Sequence, residues 1–277
     1  MERGVTARRA CRIVGISSAA PYRRPGPDRD EPLRDSLKAV WRPNMGYRMA
    51  HALVRSEFAP LNVKRVHRLW KEERLGRMKR YRKKRTGSSV PVAAEGPNHV
   101  WSVDFCFDAC LNGTKLKVLA IVDEFTRECL ALETHTSFKS LRVQQVLEGL
   151  FESRGAPKFL RSDNGSEFIS RSLAVFLARS GSGSYFIKPG SPWQNAYVES
   201  FNSTLRRDCL DVEVFHNLAD AQVKLTLYRR YYNEVRPHSS LGRRPPAVAA
   251  AQISDSGRAT PSLRPKSEVL SSTGESS

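Results

Sequence analysis

Apolar residues recur in two rhythms along this chain, and the change of rhythm divides it. In the first third they return every three to four positions, the period of a helix with one buried face. Val5–Ser18 carries a short helical pattern with Gly15 where a turn falls, and residues 21–33, rich in Pro and charge, read as a linker. Glu31–Trp41, Tyr47–Glu57 and Val63–Leu75 then follow as helices. Ala50, Leu53 and Val54 give the second an apolar stripe, and Val63, Val66, Leu69 and Trp70 give the third one. Asn62 is placed to cap the third, after a link containing Pro60.

From residue 101 the period falls to two, the signature of strands. Strands are expected over 101–108, 115–123 and 128–134, a meander with Asn112-Gly113 at its first turn. A helix over 139–153, a strand over 158–162, a helix over 166–180 and a strand over 183–188 come next. A helix containing Glu199 follows, with Asn195 as its N-cap, and then an aromatic-rich helix from Leu218 to Asn233. The chain therefore divides into a short helical segment at 1–20, a candidate helix-turn-helix remnant; a linker at 21–33; a helical region at 34–76; a basic run and linker at 77–99; an α/β domain at 100–250; and a Ser/Pro/Gly-rich tail at 251–277, expected to be disordered.

Composition narrows the class. The 277 residues, 40% of them hydrophobic, suffice for one ordinary domain and a smaller one. Neither a membrane span nor a secretory leader is expected, because no apolar run approaches the roughly 18 residues a span needs. Five scattered cysteines without a Cys-x-x-Cys pair argue for a reducing, cytoplasmic compartment, and the six histidines lack zinc-ligand spacing. The charge is +18 and lopsided: residues 1–100 hold 24 Lys/Arg against 9 Asp/Glu. Arg77, Lys79, Arg80, Arg82, Lys83, Lys84 and Arg85 fall within nine residues, a block that binds polyanions by releasing their counterions. Lys64, Arg65, Arg68 and Lys71 lie on or beside the third helix, and two short helices so decorated suggest a helix-turn-helix lying on DNA.

Three carboxylates carry the candidate chemistry. Asp104 sits inside an apolar strand pattern, where a charge costs desolvation energy unless it is paired or metal-bound. Asp163 ends a strand at Asn164-Gly165, and Glu199 lies on a helix with thirty-five residues between the two. A strand centre, a strand end and a helix converge readily in an α/β domain. Asp108, Asp123, Glu124 and Glu167 are nearby acids of the same type, and spacing alone does not exclude them. Three hard anionic ligands suit Mg²⁺ or Mn²⁺, and a pair of such ions supports in-line displacement at phosphorus. Trp193 is placed to stack on an exposed base, and Arg206 and Arg207, two turns past Glu199, to clamp phosphates.

"WSVDF" at 101–105, "RSDNGSEF" at 161–168, "KPGSPWQNAYVESFN" at 188–202 and "YNEVRPHSSLGRRPPA" at 232–247 resemble the second-frame (OrfB) transposases of bacterial insertion sequences, the IS-three family. "GYRMAHALV" and "NVKRVHRLWKEERL" resemble that family's helix-turn-helix region. The resemblance implies an RNase H-like core of the retroviral-integrase superfamily, with a mixed five-stranded sheet preceded by a small all-α region. It implies that Asp104, Asp163 and Glu199 are the metal-binding catalytic triad and that Arg206 is associated with the site and its DNA. It further implies a homo-oligomer acting on insertion-sequence ends and target DNA at the nucleoid, often as a frameshift fusion with an upstream first-frame protein. A metal-dependent RNase H-like nuclease and an inactive DNA-binding regulator are the rival readings.

Overall fold

The structure, a computed structural model, describes residues 6–19, 22, 28–76, 93–187 and 195–258, the last five of these by backbone alone. Trp193, the basic run from Arg77 to Arg85 and the tail past 258 lie outside the described residues. Contacts divide the chain into two compact units, Met1–Arg77 and Met78–Ser277.

In the first unit, α1 (Ala7–Val14) ends at Gly15, whose φ of 71° is the left-handed conformation that stops helices. α2 (Glu31–Val40), α3 (Tyr47–Val54) and α4 (Val63–Glu72) bury Leu33, Leu37, Ala50, Val54, Val66, Leu69 and Trp70 together. Asn62 caps α4 as its sequence position suggests, its side chain accepting the Lys64 N–H at 2.8 Å. The link from α3 to α4 is longer than the tight turn expected. α3 gives way to turns after Val54, whose carbonyl accepts a tighter i+3 bond from the Glu57 N–H at 3.1 Å beside the longer i+4 bond from the Phe58 N–H at 3.3 Å.

The second unit is built on a five-stranded sheet in the order β3-β2-β1-β4-β5: β1 (Val100–Ala109), β2 (Lys115–Asp123), β3 (Cys129–His135), β4 (Phe159–Ser162) and β5 (Gly183–Phe186). The first three strands pair antiparallel, whereas β4 runs parallel to both β1 and β5. Alternation along β1 sorts its side chains. Trp101 and Val103 join Leu119 and Ile121 of β2 in one core, against α5 (Ser140–Arg154) and α6 (Arg171–Arg179). On the other face Val118, Ala120 and Val122 meet α7 (Ala196–Leu205) and α8 (Leu218–Glu234) through Val198, Phe201, Leu205, Leu225 and Tyr232. Burying each of the larger side chains contributes about 1.5–3 kcal/mol, and two such layers hold β1 at the centre.

The exposed edge of the sheet is covered rather than left open. Asn233 of α8 pairs with both the N–H and the C=O of Cys129 at 2.9 Å, as a neighbouring strand would. Arg229 donates to the Leu130 carbonyl at 2.7 Å and Gln222 to that of Thr134 at 3.1 Å.

Besides α3 and α4, which end three residues before the expected Glu57 and Leu75, two boundaries of the second unit differ from the sequence expectation. α6 begins at Arg171 instead of 166, because the Ser170 side chain caps it by accepting the Leu173 N–H at 3.3 Å. α9 (Pro246–Arg258) carries helical structure past 251, into the segment expected to be disordered. Its Pro at the first helical position and its run of alanines favour helix, whatever the Ser/Pro/Gly content of the tail. Among the described residues no helix is long and apolar enough to cross a membrane.

Candidate active site

The parallel pairing of β1 with β4 brings two of the three acids together. Val100 aligns with Phe159, Trp101 with Leu160 and Ser102 with Arg161, a constant offset that carried two residues further sets Asp163 beside Asp104. Neighbouring strands lie about 4.8 Å apart, so the Asp104 carboxyl, midway along β1, meets that of Asp163 just past the carboxyl end of β4. The Asp163 Oδ1 accepts the Gly165 N–H at 3.0 Å, which fixes the carboxylate within the Asp-Asn-Gly turn.

Glu199 comes from α7, and the helix is fastened to β1 by its own polar stripe. Asn195, Glu199, Asn202 and Arg206 recur at spacings of four, three and four, one face of a helix. Asn195 Nδ2 donates to the Val103 carbonyl at 3.3 Å, Asn202 Nδ2 to Asp104 Oδ2 at 2.9 Å, and Arg206 Nη2 to the Phe107 carbonyl at 2.7 Å. The stripe thus tracks along β1 residue by residue. Asn195 stands at the N-cap position but makes no capping bond: its Nδ2 goes to β1, and its Oδ1, the atom that would cap, is buried without a hydrogen-bond partner. Past Leu205 the helix widens into a π-helix, Arg206–Leu210, which buries Cys209 and Leu210.

The three acids act on one another electrostatically. Burial pushes the Asp104 carboxyl up to about 6, the Phe105 N–H opposes this, and the negative charges of Asp163 and Glu199 add to it. Three carboxylates, two of them raising the energy of the ionised third at a half-buried position, are a donor set that a hard divalent cation fits. Among the described residues no group of three such side chains is gathered tightly enough to hold an ion as it stands.

The four nearby acids have other partners. Asp123 accepts from the Asn98, Phe125 and Thr126 amides at 2.8, 2.8 and 2.9 Å and so shapes the β2–β3 turn. Glu124 is fully buried, receiving Ser102 Oγ and both bonds of Arg161 Nη1, at 2.7 and 2.8 Å. Ser102 and Arg161 each lie two residues before a candidate acid, so this buried cluster forms the floor beneath Asp104 and Asp163. Glu167 pairs with Lys117. Asp108 lies 4.0 Å from the Arg206 guanidinium.

The basic residues separate in the same way. Arg65 and Arg68 both bind Asp30, and Arg68 also binds Glu72 at 2.9 Å, whereas Lys64 and Lys71 are exposed and without an ion pair among the described residues. Arg206 is half-exposed above the end of β1. Arg207 is engaged with Asp208 at 2.7 Å, and Asp208 also receives the buried Arg236 at 2.8 Å. Asn202 and the Glu124–Arg161 pair are the contributors that sequence reasoning missed. The four-three-four stripe was the available signal for Asn202, and the buried pair, thirty-seven residues apart, left none.

Comparison with known proteins bears on the family and the fold. Residues 94–192 match one integrase core domain family and residues 181–246 a second. The insertion element IS407 31.7 kDa protein of Burkholderia multivorans is 40% identical over 255 residues, covering 90% of this chain and 91% of that protein. Transposase InsD for insertion element IS2 of Escherichia coli is 30% identical over 221 residues, 74% of this chain and 72% of InsD. Among solved structures, a chain of the simian T-cell lymphotropic virus intasome, in complex with PP2A regulatory subunit B56 gamma, superposes with a TM-score of 0.50. It covers 82% of this chain and 81% of that one at 14% identity, a likeness of fold alone.

Proposed function

The chain belongs to the integrase-core transposases of bacterial insertion elements, polynucleotidyl transferases of RNase H-like fold, and we propose that Asp104, Asp163 and Glu199 are its catalytic carboxylates, acting on DNA at the element's ends. The observation that carries this reading is the register that sets Asp163 beside Asp104, with the charge of Glu199 reaching the same carboxyl.

Each residue then has a role. Asp104, Asp163 and Glu199 hold divalent cations, Mg²⁺ or Mn²⁺, two in our reading. Such ions supply the Lewis acidity that activates an attacking oxygen and stabilises a leaving one. Asn202 orients the Asp104 carboxylate, and the Ser102–Glu124–Arg161 floor keeps both strand ends from moving apart. Arg206 sits where it can neutralise a phosphate arriving over the end of β1. The same constellation serves two nucleophiles: water gives cleavage with a free 3′-OH, and a 3′-OH gives strand joining. No side-chain nucleophile is required, so no covalent protein–DNA intermediate forms. In the first unit, Lys64, Arg65, Arg68 and Lys71, with the Arg77–Arg85 run, supply sequence-independent DNA affinity, Arg65 and Arg68 by exchanging Asp30 for phosphate. Base stacking by Trp193 and a phosphate clamp at Arg207 belong to the same reading. Assembly as a homo-oligomer on DNA, and joining to an upstream first-frame protein, complete it.

The test is an assay on DNA carrying the element's own ends, with Mg²⁺ present or chelated. Wild type should nick and join only with metal, and Asp163→Asn should lose at least about a hundredfold in rate, the scale of removing a principal electrostatic group. Cleavage without joining would identify a nuclease instead. Metal-independent cleavage, or activity retained in Asp163→Asn, would defeat the assignment.

A further inference from the structure

The closing "RPHSS" segment has no part in the chemistry above, yet it forms one wall of a cleft. The cleft encloses about 340 Å³ and lies on the flank of α7 next to the face that carries Glu199. The β2–β3 turn contributes Arg127, α7 contributes Tyr197, Ser200 and Thr204, and the third wall is His238, Ser239 and Ser240. Phe201 and Tyr232, in edge-to-face contact at 4.9 Å, lie at its apolar base. Ser200 comes directly after Glu199, so cleft and candidate site open about 100° apart around one helix.

The chemistry of the cleft is that of an anion seat. Arg127 supplies its one charge, and no acidic side chain lines it among the described residues. Arg127 makes no ion pair within 4 Å among the described residues, the buried Glu124 carboxylate feels its charge without contact, and its Nη1 is buried without a hydrogen-bond partner. A buried guanidinium N–H left unmade is costly and is normally satisfied. The guanidinium is also held in place. It stacks over the Tyr197 ring at 4.0 Å, and its backbone sits at φ 65° in a turn closed by its own N–H to the Asp123 carbonyl at 2.9 Å. Ser200, Thr204, Ser239 and Ser240 line the same space. Ser240 Oγ lies 3.0 Å from His238 Nδ1, and burial with the neighbouring charges of Arg236 and Arg127 keeps that imidazole neutral at physiological pH.

We propose that this cleft seats a backbone phosphodiester of the DNA strand being processed, with Arg127 as the charged contact and the Ser200, Thr204, Ser239 and Ser240 hydroxyls as its hydrogen-bonding rim. The inference rests on the reading of the chain as a DNA strand transferase and adds a second anchoring point for the strand, one helix face away from the triad. The "RPHSS" segment thereby forms the outer wall of that anchor.

The test measures affinity for a fluorescein-labelled duplex carrying one element end, by anisotropy in EDTA, over a salt series from about 50 to 200 mM. Arg127→Gln should weaken binding several-fold and lower the slope of log affinity against log salt by about 0.9, the signature of one lost phosphate contact. Ser239 is exposed, so Ser239→Glu and Ser239→Arg probe the rim without disturbing the core. The first should weaken binding, and the second should strengthen it with a steeper slope. Thermal melting checks each variant, and if Arg127→Gln fails to fold, the Ser239 pair decides alone. Unchanged slope and affinity in the folded variants, while wild type binds and cuts the duplex with metal, overturn the cleft alone. Wild type that neither binds nor cuts DNA overturns the cleft and the transferase reading together.

Discussion

Replacing Asp104 by Asn should stabilise the protein while abolishing its chemistry. The carboxyl is pushed from 3.8 to about 6 in the fold, mainly by burial and then by Asp163 and Glu199. A folded value above the unfolded one means that the folded state binds the extra proton between about pH 4 and pH 6, so stability falls as pH rises through that window. Two units at 1.36 kcal/mol each put the cost of the ionised form at about 3 kcal/mol, fully developed above pH 6 and absent below pH 4. An amide removes that cost and keeps the contacts. Its oxygen still accepts from the Phe105 N–H, and the Asn202 amide can turn its carbonyl oxygen, now buried without a partner, toward the new NH₂. Urea unfolding of wild type and Asp104→Asn in EDTA should therefore diverge by about 1–3 kcal/mol at pH 8 and converge near pH 4. A difference that does not change with pH, or a less stable variant at pH 8, would refute the account of a strained acid.

Three further perturbations probe the surroundings. In Gly165→Ala the new methyl would meet Asp163 Oδ1 at 3.0 Å and both Glu167 Oε2 and Phe168 Cδ2 at 3.4 Å. Displacing the carboxylate by a few tenths of an ångström should lower the turnover of end cleavage by about tenfold, with little change in melting temperature. Arg161→Met strands the Glu124 carboxylate in the core and should cost about 3–5 kcal/mol in urea unfolding, and adding Glu124→Gln should recover part of it. Asn233→Ala removes both bonds to the Cys129 backbone at the sheet edge. A loss of about 1–3 kcal/mol is expected, with more light scattering on heating as the bare edge finds other strands.

The strands were legible because alternation is a local signal. β1, β2 and β3 each start and end within a residue of the segments read from the pattern. Helix ends were read less well because side chains and turns decide them: Ser170 starts α6 and α3 gives way to turns after Val54. The choice of Asp104 over Asp108, Asp123 and Glu124 came from the family resemblance and not from local pattern; the β1–β4 register that supports it lies in no local window. Glu124 illustrates the reason. In sequence it is one more acid near a strand end, and only the fold returns Arg161 to it and turns it from a candidate ligand into the floor beneath the candidates.

The two units treat charge in opposite ways, and this bears on how DNA is gripped. In the bundle of α2, α3 and α4 three arginines are matched by acids: Asp30 takes Arg65 and Arg68, and Glu72 and Glu73 take Arg34 at 2.6 and 2.8 Å. Residues 28–76 hold 11 Lys/Arg against 7 Asp/Glu, so the bundle itself is only mildly basic. The excess lies in the flanking segments, above all the seven basic residues between Arg77 and Arg85. Non-specific affinity should therefore depend on that run more than on the helix faces. Neutralising three of its residues should lower the salt slope by about 2.7, whereas Lys64→Ala should lower it by no more than about 0.9. At the candidate active site the imbalance runs the other way: the charges of Asp163 and Glu199 bear on Asp104, and the guanidinium of Arg206 is turned to the Phe107 carbonyl. An uncompensated acidic cluster of this kind suits a hard divalent cation, the role proposed for it above.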